Sequence, residues 1–378
     1  MWSWFHLCRS VRITNYKLIW CMIVSVCVGG LLISLQLPSS PSRVVKPKRK
    51  LMLDWTGFFG QPLSHQHYME IDCPLRDQCR LTNDRSLLRQ ADAVVFHGRD
   101  LNWNDMPLTR KASQRYVFLM QESPLTIKDA DISMPHFFNW TMSYRSDSDV
   151  AWPYQIVAFS PTGKLPSDAI PVAPFDSKLL RTKRRLVMWL VSNCQTTSKR
   201  ELVVEKLKQY LSVDVFGACG NQSGCPHGPH CEHIIERDYK FYVAFENALC
   251  KDYITEKYWA RWKLNAVPLV LQRRIYEALV PARSFIAVDD FENAKQFSDF
   301  LLRLDQNDTE YARYFDWRTQ GYYQPVWNSK GARVGFCDLC EKLLSADLPR
   351  KSYANMKRWF VDDSHCDGGE FANRWSAQ

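Results

Sequence analysis

The first 50 residues contain no aspartate or glutamate, yet they carry eight basic residues: Arg9, Arg12, Lys17, Arg43, Lys46, Lys48, Arg49 and Lys50. Beyond them the basic excess disappears. Of 49 Lys and Arg in the chain, 41 remain after position 50, against 40 Asp and Glu. A body without net basic charge lacks the electrostatic footprint of a nucleic-acid binder, whereas a short basic segment suits a membrane surface. Collagen-like, coiled-coil and disordered compositions are absent as well. With 46% hydrophobic and 24% charged residues over 378 positions, the chain is of ordinary globular type and long enough for two domains.

Long apolar runs are scarce, and one stands out. Residues 18–37 (LIWCMIVSVCVGGLLISLQL) hold no charge, over the length a helix needs to cross about 30 Å of hydrocarbon. The run reads as a single membrane anchor. A signal peptide is the alternative, but the stretch exceeds a typical h-region and no clean small-x-small site follows. Three basic residues precede it and five follow, which leaves the positive-inside count undecided. Ten cysteines and three N-x-[ST] sequons, at Asn139, Asn221 and Asn307, lie beyond it and fit an oxidising, glycosylating lumen. The expected layout is a cytoplasmic tail (1–17), an anchor (18–37), a stem (38–50) and a lumenal body, the single-pass type II arrangement of a Golgi membrane protein.

Apolar or β-branched runs at residues 50–55, 93–96, 116–120 and 137–144 alternate with polar segments of helical periodicity, predicting an α/β domain over 51–165. Residues 160–185 hold four prolines and a basic run with little periodicity, which places a linker at 166–185. A second α/β domain is expected over 186–345. Its strands fall at 186–191, 213–216, 241–245, 267–271 and 285–288. Its helices open at a capping-box pattern (Ser198 to Glu201), run from Thr255 to about residue 264, lie near Tyr276, and span 293–304. Residues 346–378 are expected to pack back on the body. Such alternation makes parallel sheets covered on both faces, with ligands bound beyond the strands' carboxyl ends.

Residues 240–257 (KFYVAFENALCKDYITEK) pass from an apolar strand through a polar loop into a helix opened by Thr255, with Lys257 in its first turn. A helix start beside a full positive charge is a seat for phosphate. The bland alternative makes Thr255 a simple cap and Glu256 and Lys257 solvated charges. The segment resembles the signature of the α1,3-fucosyltransferase family, Phe-x-x-x-Phe-Glu-Asn-Ser/Thr, four variable residues, then Tyr-x-Thr-Glu-Lys. Phe241, Phe245, Glu246, Asn247, Tyr253, Thr255, Glu256 and Lys257 match it. Similar blocks are residues 191–193 (VSN) with Arg200, 139–150 (NWTMSYRSDSDV), 267–271 (VPLVL), 284–291 (SFIAVDDF), and Cys337 with Cys340. The likeness spans most of residues 90–340. Departures are Ala248 for Ser or Thr, residues 264–265 and 272–274 in place of glycine-containing stretches, and Ala287 for a common His.

The resemblance implies a GT-B-like α/β fold: two doubly wound Rossmann-like domains facing a cleft, with GDP-fucose held mainly by the second and the acceptor sugar by the first. It implies one inverting displacement, which needs a base for the acceptor hydroxyl and a cationic seat for the departing diphosphate. Glu122, in a Glu-Ser-Pro block after the strand at 116–120, matches the family's base. Arg200 and Lys257 would neutralise the diphosphate. Tyr242, Glu246, Asn247, Tyr253 and Glu256, with Ser192 and Asn193, would position guanosine, ribose and fucose, although Glu246 could instead fix its own loop. The reading is therefore an α1,3-fucosyltransferase with GDP-fucose as donor, no required cofactor, and N-acetylglucosamine of an N-glycan or related glycoprotein or glycolipid as acceptor. Its rivals are a non-catalytic glycan-binding member and a metal-dependent transferase with another donor. Asp147 and Asp149 have the D-x-D spacing that would serve the last, but they fall in the acceptor half, and no metal is expected. Cys219, Cys225 and Cys231, interleaved with His227, His230 and His233, suit zinc or, in an oxidising lumen, disulfides. Cys73 and Cys79 are expected to pair with Cys337 and Cys340, and Cys194 to lie near Cys250.

Overall fold

A computed structural model describes residues 49–63, 73–127, 132–167, 169–221, 224–225, 228–326, 334–346 and 350–378. The expected tail, anchor and nearly all of the stem lie outside the described residues. Among the described residues no helix is long and apolar enough to cross a membrane.

The first half forms a six-stranded sheet of β1 (Lys50–Asp54), β2 (Cys79–Thr82), β3 (Ala93–His97), β4 (Arg115–Met120), β5 (Trp140–Ser143) and β6 (Val150–Ala151), ordered β2-β1-β3-β4-β5-β6. Every pairing is parallel. β3 is buried along its whole length, as a strand covered on both faces must be. Alternate side chains feed two separate cores. Ala93, Val95, Val117 and Leu119 enter one; Val94, Phe96, Tyr116 and Phe118 enter the other.

The second half builds a parallel sheet from β9 (Arg185–Leu190), β10 (Val213–Phe216), β11 (Tyr239–Val243), β12 (Val267–Val270) and β13 (Ile286–Ala287), ordered β10-β9-β11-β12-β13. Between the sheets in sequence lie β7 (Ala158–Phe159) and β8 (Ala169–Pro171), which flank β14 (Tyr322–Pro325) in an antiparallel patch. Part of the expected linker is therefore paired structure. Its partner is more than 150 positions away, so local periodicity could not reveal it, and β8 tolerates Pro171 because it is an edge strand.

The helices are α1 (Arg200–Leu207), α2 (Pro229–Asp238), α3 (Glu256–Trp259), α4 (Arg273–Tyr276), α5 (Ala294–Gln306), α6 (Asp308–Ala312), α7 (Gly335–Leu344), α8 (Met356–Phe360) and α9 (Glu370–Ser376). α5 buries Phe297, Leu301 and Leu304 in the second core. The C-terminal segment joins both halves: α8 buries Met356 and Phe360 against the first sheet, and α9 buries Phe371 and Trp375 against the second. Residues Arg49–Gln378 group into one unit.

Three local expectations change. The helix at Thr255 is a single turn, Glu256–Trp259, followed by turns. The capping box does not form, because Lys199 occupies the left-handed region at φ 54° and the Ser198 hydroxyl donates instead to the Glu246 carbonyl at 2.7 Å. Cysteine pairing also differs in part. Cys73 joins Cys337 and Cys79 joins Cys340, pinning α7 to the first sheet. Cys194, however, pairs with Cys219 rather than lying by Cys250, because these cysteines follow the adjacent strands β9 and β10. Cys250 meets Cys366, where the C-terminal segment forms the bridge Leu249–Asp367. Cys225 pairs with Cys231, so the cysteines of the Cys/His cluster are consumed in disulfides and are not zinc ligands; His227 lies outside the described residues.

Candidate active site

β9 and β11 are parallel neighbours, so the loops after them share one edge of the sheet. Ser192 and Asn193 are exposed just past β9. Arg200, at the start of α1, turns its buried guanidinium back under this edge and donates to the carbonyls of Phe245 (2.6 Å) and Asn193 (3.0 Å). Its Nε has no hydrogen-bond partner among the described residues.

Across the edge, the loop after β11 is fixed by a buried carboxylate. Glu246 accepts the Thr255 N–H and hydroxyl, both at 2.7 Å. Burial pushes its carboxyl up, against the pull of Lys257 and Thr255. Of the two readings open for Glu246, these contacts match the loop-fixing one. Thr255 also caps α3, and Lys257 Nζ sits 3.0 Å from its hydroxyl, 2.8 Å from Glu256 and 3.5 Å from Glu246. One helical turn offers little macrodipole, so the positive character here comes from side chains. Arg200 and Lys257 line a common recess with Trp189, Leu190, Tyr242 and Phe245, and with a third cation, Arg261, whose Nε is also unpartnered among the described residues.

The other expected donor residues divide. Asn247 is half-buried, with a side-chain oxygen unpartnered among the described residues, while its carbonyl anchors Ser198 and Thr197. Glu256 is exposed and pairs with Lys257. Tyr242 lines the recess, but its buried hydroxyl donates inward to the Tyr258 carbonyl at 3.3 Å, so that group is committed to the core. Tyr253 is buried edge-on to Tyr144 and Tyr154, at 5.0 and 6.4 Å between ring centres, and helps to seam the two halves.

Glu122 lies just past β4 with 28% of its side chain exposed, paired to Arg99 at 3.1 Å. Tyr154 relates it to the recess. The Tyr154 hydroxyl donates to the Gln121 carbonyl at 3.2 Å. It is pushed up by burial and then by the charges of Glu256, Glu246 and Glu122 together. Carboxylates from both halves thus lie within electrostatic reach of one phenol.

Asp147 and Asp149 are spoken for. Asp147 takes Arg145 at 2.6 and 2.8 Å and Lys251 at 3.2 Å. Asp149 takes Lys351 at 2.6 Å, the Tyr353 hydroxyl at 2.8 Å and the Thr141 N–H at 2.9 Å. The pair ties the β5–β6 turn to the donor loop and the C-terminal segment.

Residues 47–155 match the family described as "Fucosyltransferase, N-terminal", and residues 180–359 match "Glycosyltransferase family 10 (fucosyltransferase) C-term". The chain belongs to this fucosyltransferase family. An α-(1,3)-fucosyltransferase of Caenorhabditis elegans is 34% identical over 335 residues, covering 85% of this chain and 84% of the relative. A human 4-galactosyl-N-acetylglucosaminide 3-alpha-L-fucosyltransferase is 37% identical over 319 residues, covering 82% and 80%. The crystal structure of an α1,3-fucosyltransferase with GDP-fucose aligns at a TM-score of 0.51 and 15% identity, over 83% of this chain and 96% of that one, which shows a common fold.

Within this fucosyltransferase, sequence reasoning missed Arg261, although its position one turn after Lys257 puts both on one face of the chain. Arg99 was missed too, since its partnership with Glu122 spans adjacent strands. The departures from the family signature are absorbed by packing. Ala248 and Ala287 are buried, and Gln272 donates to Asp367 at 3.3 Å. Of the sequons, Asn307 is exposed and caps α6, and Asn221 is exposed. Asn139 is tied through both side-chain atoms, accepting from Tyr116 N–H at 2.9 Å and donating to the Lys351 carbonyl at 2.8 Å.

Proposed function

We propose that the protein is an inverting α1,3-fucosyltransferase that moves L-fucose from GDP-β-L-fucose to a hydroxyl of N-acetylglucosamine on a glycoprotein or glycolipid glycan. The observation that carries this reading is the recess shared by Arg200, Lys257 and Arg261 at the carboxyl edge of β9 and β11; Glu122 follows β4 in the other half, next to the Gln121 carbonyl that receives the Tyr154 hydroxyl. In the reaction, the acceptor oxygen bonds to C1 of fucose while its proton passes to Glu122. The C1–O bond to the β-phosphate breaks, and its electron pair stays on the diphosphate. Arg200, Lys257 and Arg261 would offset the charge growing there, the largest kind of contribution a fixed site makes. Asn247, Ser192 and Asn193 would hold the rest of the nucleotide. The acceptor assignment draws on the name of the human relative.

The same reading includes a single-pass type II Golgi membrane protein, with its anchor at 18–37, an acceptor domain over 51–165 and a donor domain over 186–345. Five disulfides in the described body support an oxidising compartment, and Asn307 and Asn221 are the sequons best placed to carry glycans.

Glu122→Gln tests the mechanism: turnover should fall at least about 100-fold, as expected for loss of a general base, while GDP affinity stays. Full activity in that variant would reject the base. Mass spectrometry of products from GDP-fucose and a small acceptor panel tests the transfer itself, and no fucosylated product would favour a glycan-binding role.

A further inference from the structure

The carboxyl end of β3 holds charges that the transfer step leaves unused. His97 ends β3 with its side chain fully buried. Its Nδ1 lies 2.6 Å from Asp100 Oδ2, and its Nε2 has no hydrogen-bond partner among the described residues. The same Asp100 oxygen accepts the Phe59 N–H at 2.7 Å. Phe59 stands in the left-handed region at φ 51°, 44% exposed, a conformation that an aromatic residue keeps only when its surroundings over-determine it. The Arg99 guanidinium lies 5.3 Å over the Phe59 ring and donates to Glu122. A continuous set of contacts therefore runs from His97 through Asp100 and Phe59 to Arg99 and Glu122.

The charges acting on the imidazole are Asp100 and Arg99 from its own turn and Glu122 from the end of β4. The β1 turn packs the Phe58 and Phe59 rings on it at 4.4 and 5.0 Å and offers the Thr56 hydroxyl to its backbone N–H, with Asp54 behind Asp100. Donation from Nδ1 to Asp100 leaves Nε2 as a bare lone pair among aromatic rings. A second proton there would create a buried cation with an unsatisfied donor. Burial outweighs both carboxylates and holds the imidazole below its ordinary value.

We propose that His97, acting through Asp100, is a positioning residue: while uncharged it clamps the Phe59 turn under Arg99 and so keeps Arg99 in register with Glu122. The inference rests on Glu122 being the base. The sign of its pH dependence follows from linkage. With the buried ring titrating below the unfolded value of about 6.5, the loosened turn binds a proton that the closed turn refuses, so the clamp weakens as pH falls through that window.

The test compares His97→Asn and His97→Ala with the parent in the full chain, measuring kcat and KM for the acceptor from about pH 5 to pH 8, together with GDP affinity. Asparagine keeps an N–H near the Nδ1 position and cannot titrate. Alanine should lower acceptor kcat/KM by about tenfold or more, with GDP affinity within about twofold of the parent. Asparagine should recover activity to within about threefold at neutral pH and flatten the acid limb. If alanine prevents folding, the asparagine profile decides alone. An asparagine variant with the parent's acid limb unchanged, or an alanine variant that loses only thermal stability, overturns the proposal. Glu122→Gln separates the two readings. Activity in that variant removes the base whatever His97 does, whereas an inactive Glu122→Gln beside an unchanged His97→Asn profile removes only the clamp.

Discussion

Thr255→Val is a sharp test of how the donor loop is held, because it keeps the side-chain volume and removes one oxygen that serves three partners. The Thr255 hydroxyl donates to buried Glu246 at 2.7 Å, receives Lys257 Nζ at 3.0 Å, and accepts the Lys257 N–H as the cap of α3. Without it one Glu246 oxygen keeps, among the described residues, no donor closer than Lys257 at 3.5 Å, and a buried acceptor stripped of its donor costs about 1–3 kcal/mol. The lost cap adds about 1 kcal/mol. The total of about 2–4 kcal/mol is a large share of the 5–15 kcal/mol typical of a folded chain. It falls on the loop that carries Lys257, so GDP affinity should drop by about tenfold or more. Urea unfolding and calorimetric GDP titration read the two effects. There is also a pH signature. Glu246 titrates above its unfolded value, so its contribution to stability falls as pH rises through the window between the two values, and Thr255→Val should widen that window. Unchanged unfolding midpoint and unchanged GDP affinity together would refute the loop argument.

Lys257→Ala and Arg261→Ala should each weaken GDP binding about tenfold or more, as loss of a charge-assisted contact implies, and Arg261→Ala is the newer claim; unaltered affinity there would remove Arg261 from the diphosphate seat. Asp149→Ala should lower stability by about 2–3 kcal/mol through the loss of Lys351, Tyr353 and Thr141. Its kcat per folded molecule should stay near the parent's; abolished turnover in a stable variant would mean the D-x-D pair has a chemical role. Lys183 is buried against the carbonyls of Glu236 and Tyr239 at the end of α2, and burial pushes its ammonium down to about 7. Since the unfolded chain stays protonated above that value, stability from this group should rise with pH from about 7 toward 10.5. Lys183→Met should flatten the rise measured by thermal unfolding, and an identical slope in both proteins would contradict it.

What the sequence disclosed tracks the range over which each feature is encoded. The strands at 93–96 and 116–120 are short apolar runs that a both-faces-covered sheet demands, and the structure places β3 and β4 there to within a residue at either end. β2 and β6 went unseen, being four and two residues long and stabilised only by parallel neighbours. The loop from Glu246 to Lys257 was legible because these residues and Thr255 sit within twelve positions and match the signature the segment resembles. Tyr242 misled for the same reason: a position within the signature says nothing about which way a hydroxyl turns, and here it turns into the core.

The acceptor edge shows the opposite case. Glu122 could be placed at a strand end from sequence, but Arg99 lies in the turn after the neighbouring strand and Phe59 in the turn after the next one over, and parallel strands bring such residues together only after crossovers of about a dozen residues or more. Register decides the outcome: Phe96 lies opposite Phe118 and His97 opposite Leu119, so the turn carrying Arg99 and Asp100 emerges beside the turn carrying Glu122. A one-residue slip would send alternate side chains into the opposite core and break the 3.1 Å Arg99–Glu122 contact. The packing that buries Val94 and Phe96 therefore also fixes where Glu122 and Arg99 meet. Shortening Phe96 to alanine should accordingly damage acceptor turnover through a residue that touches no sugar.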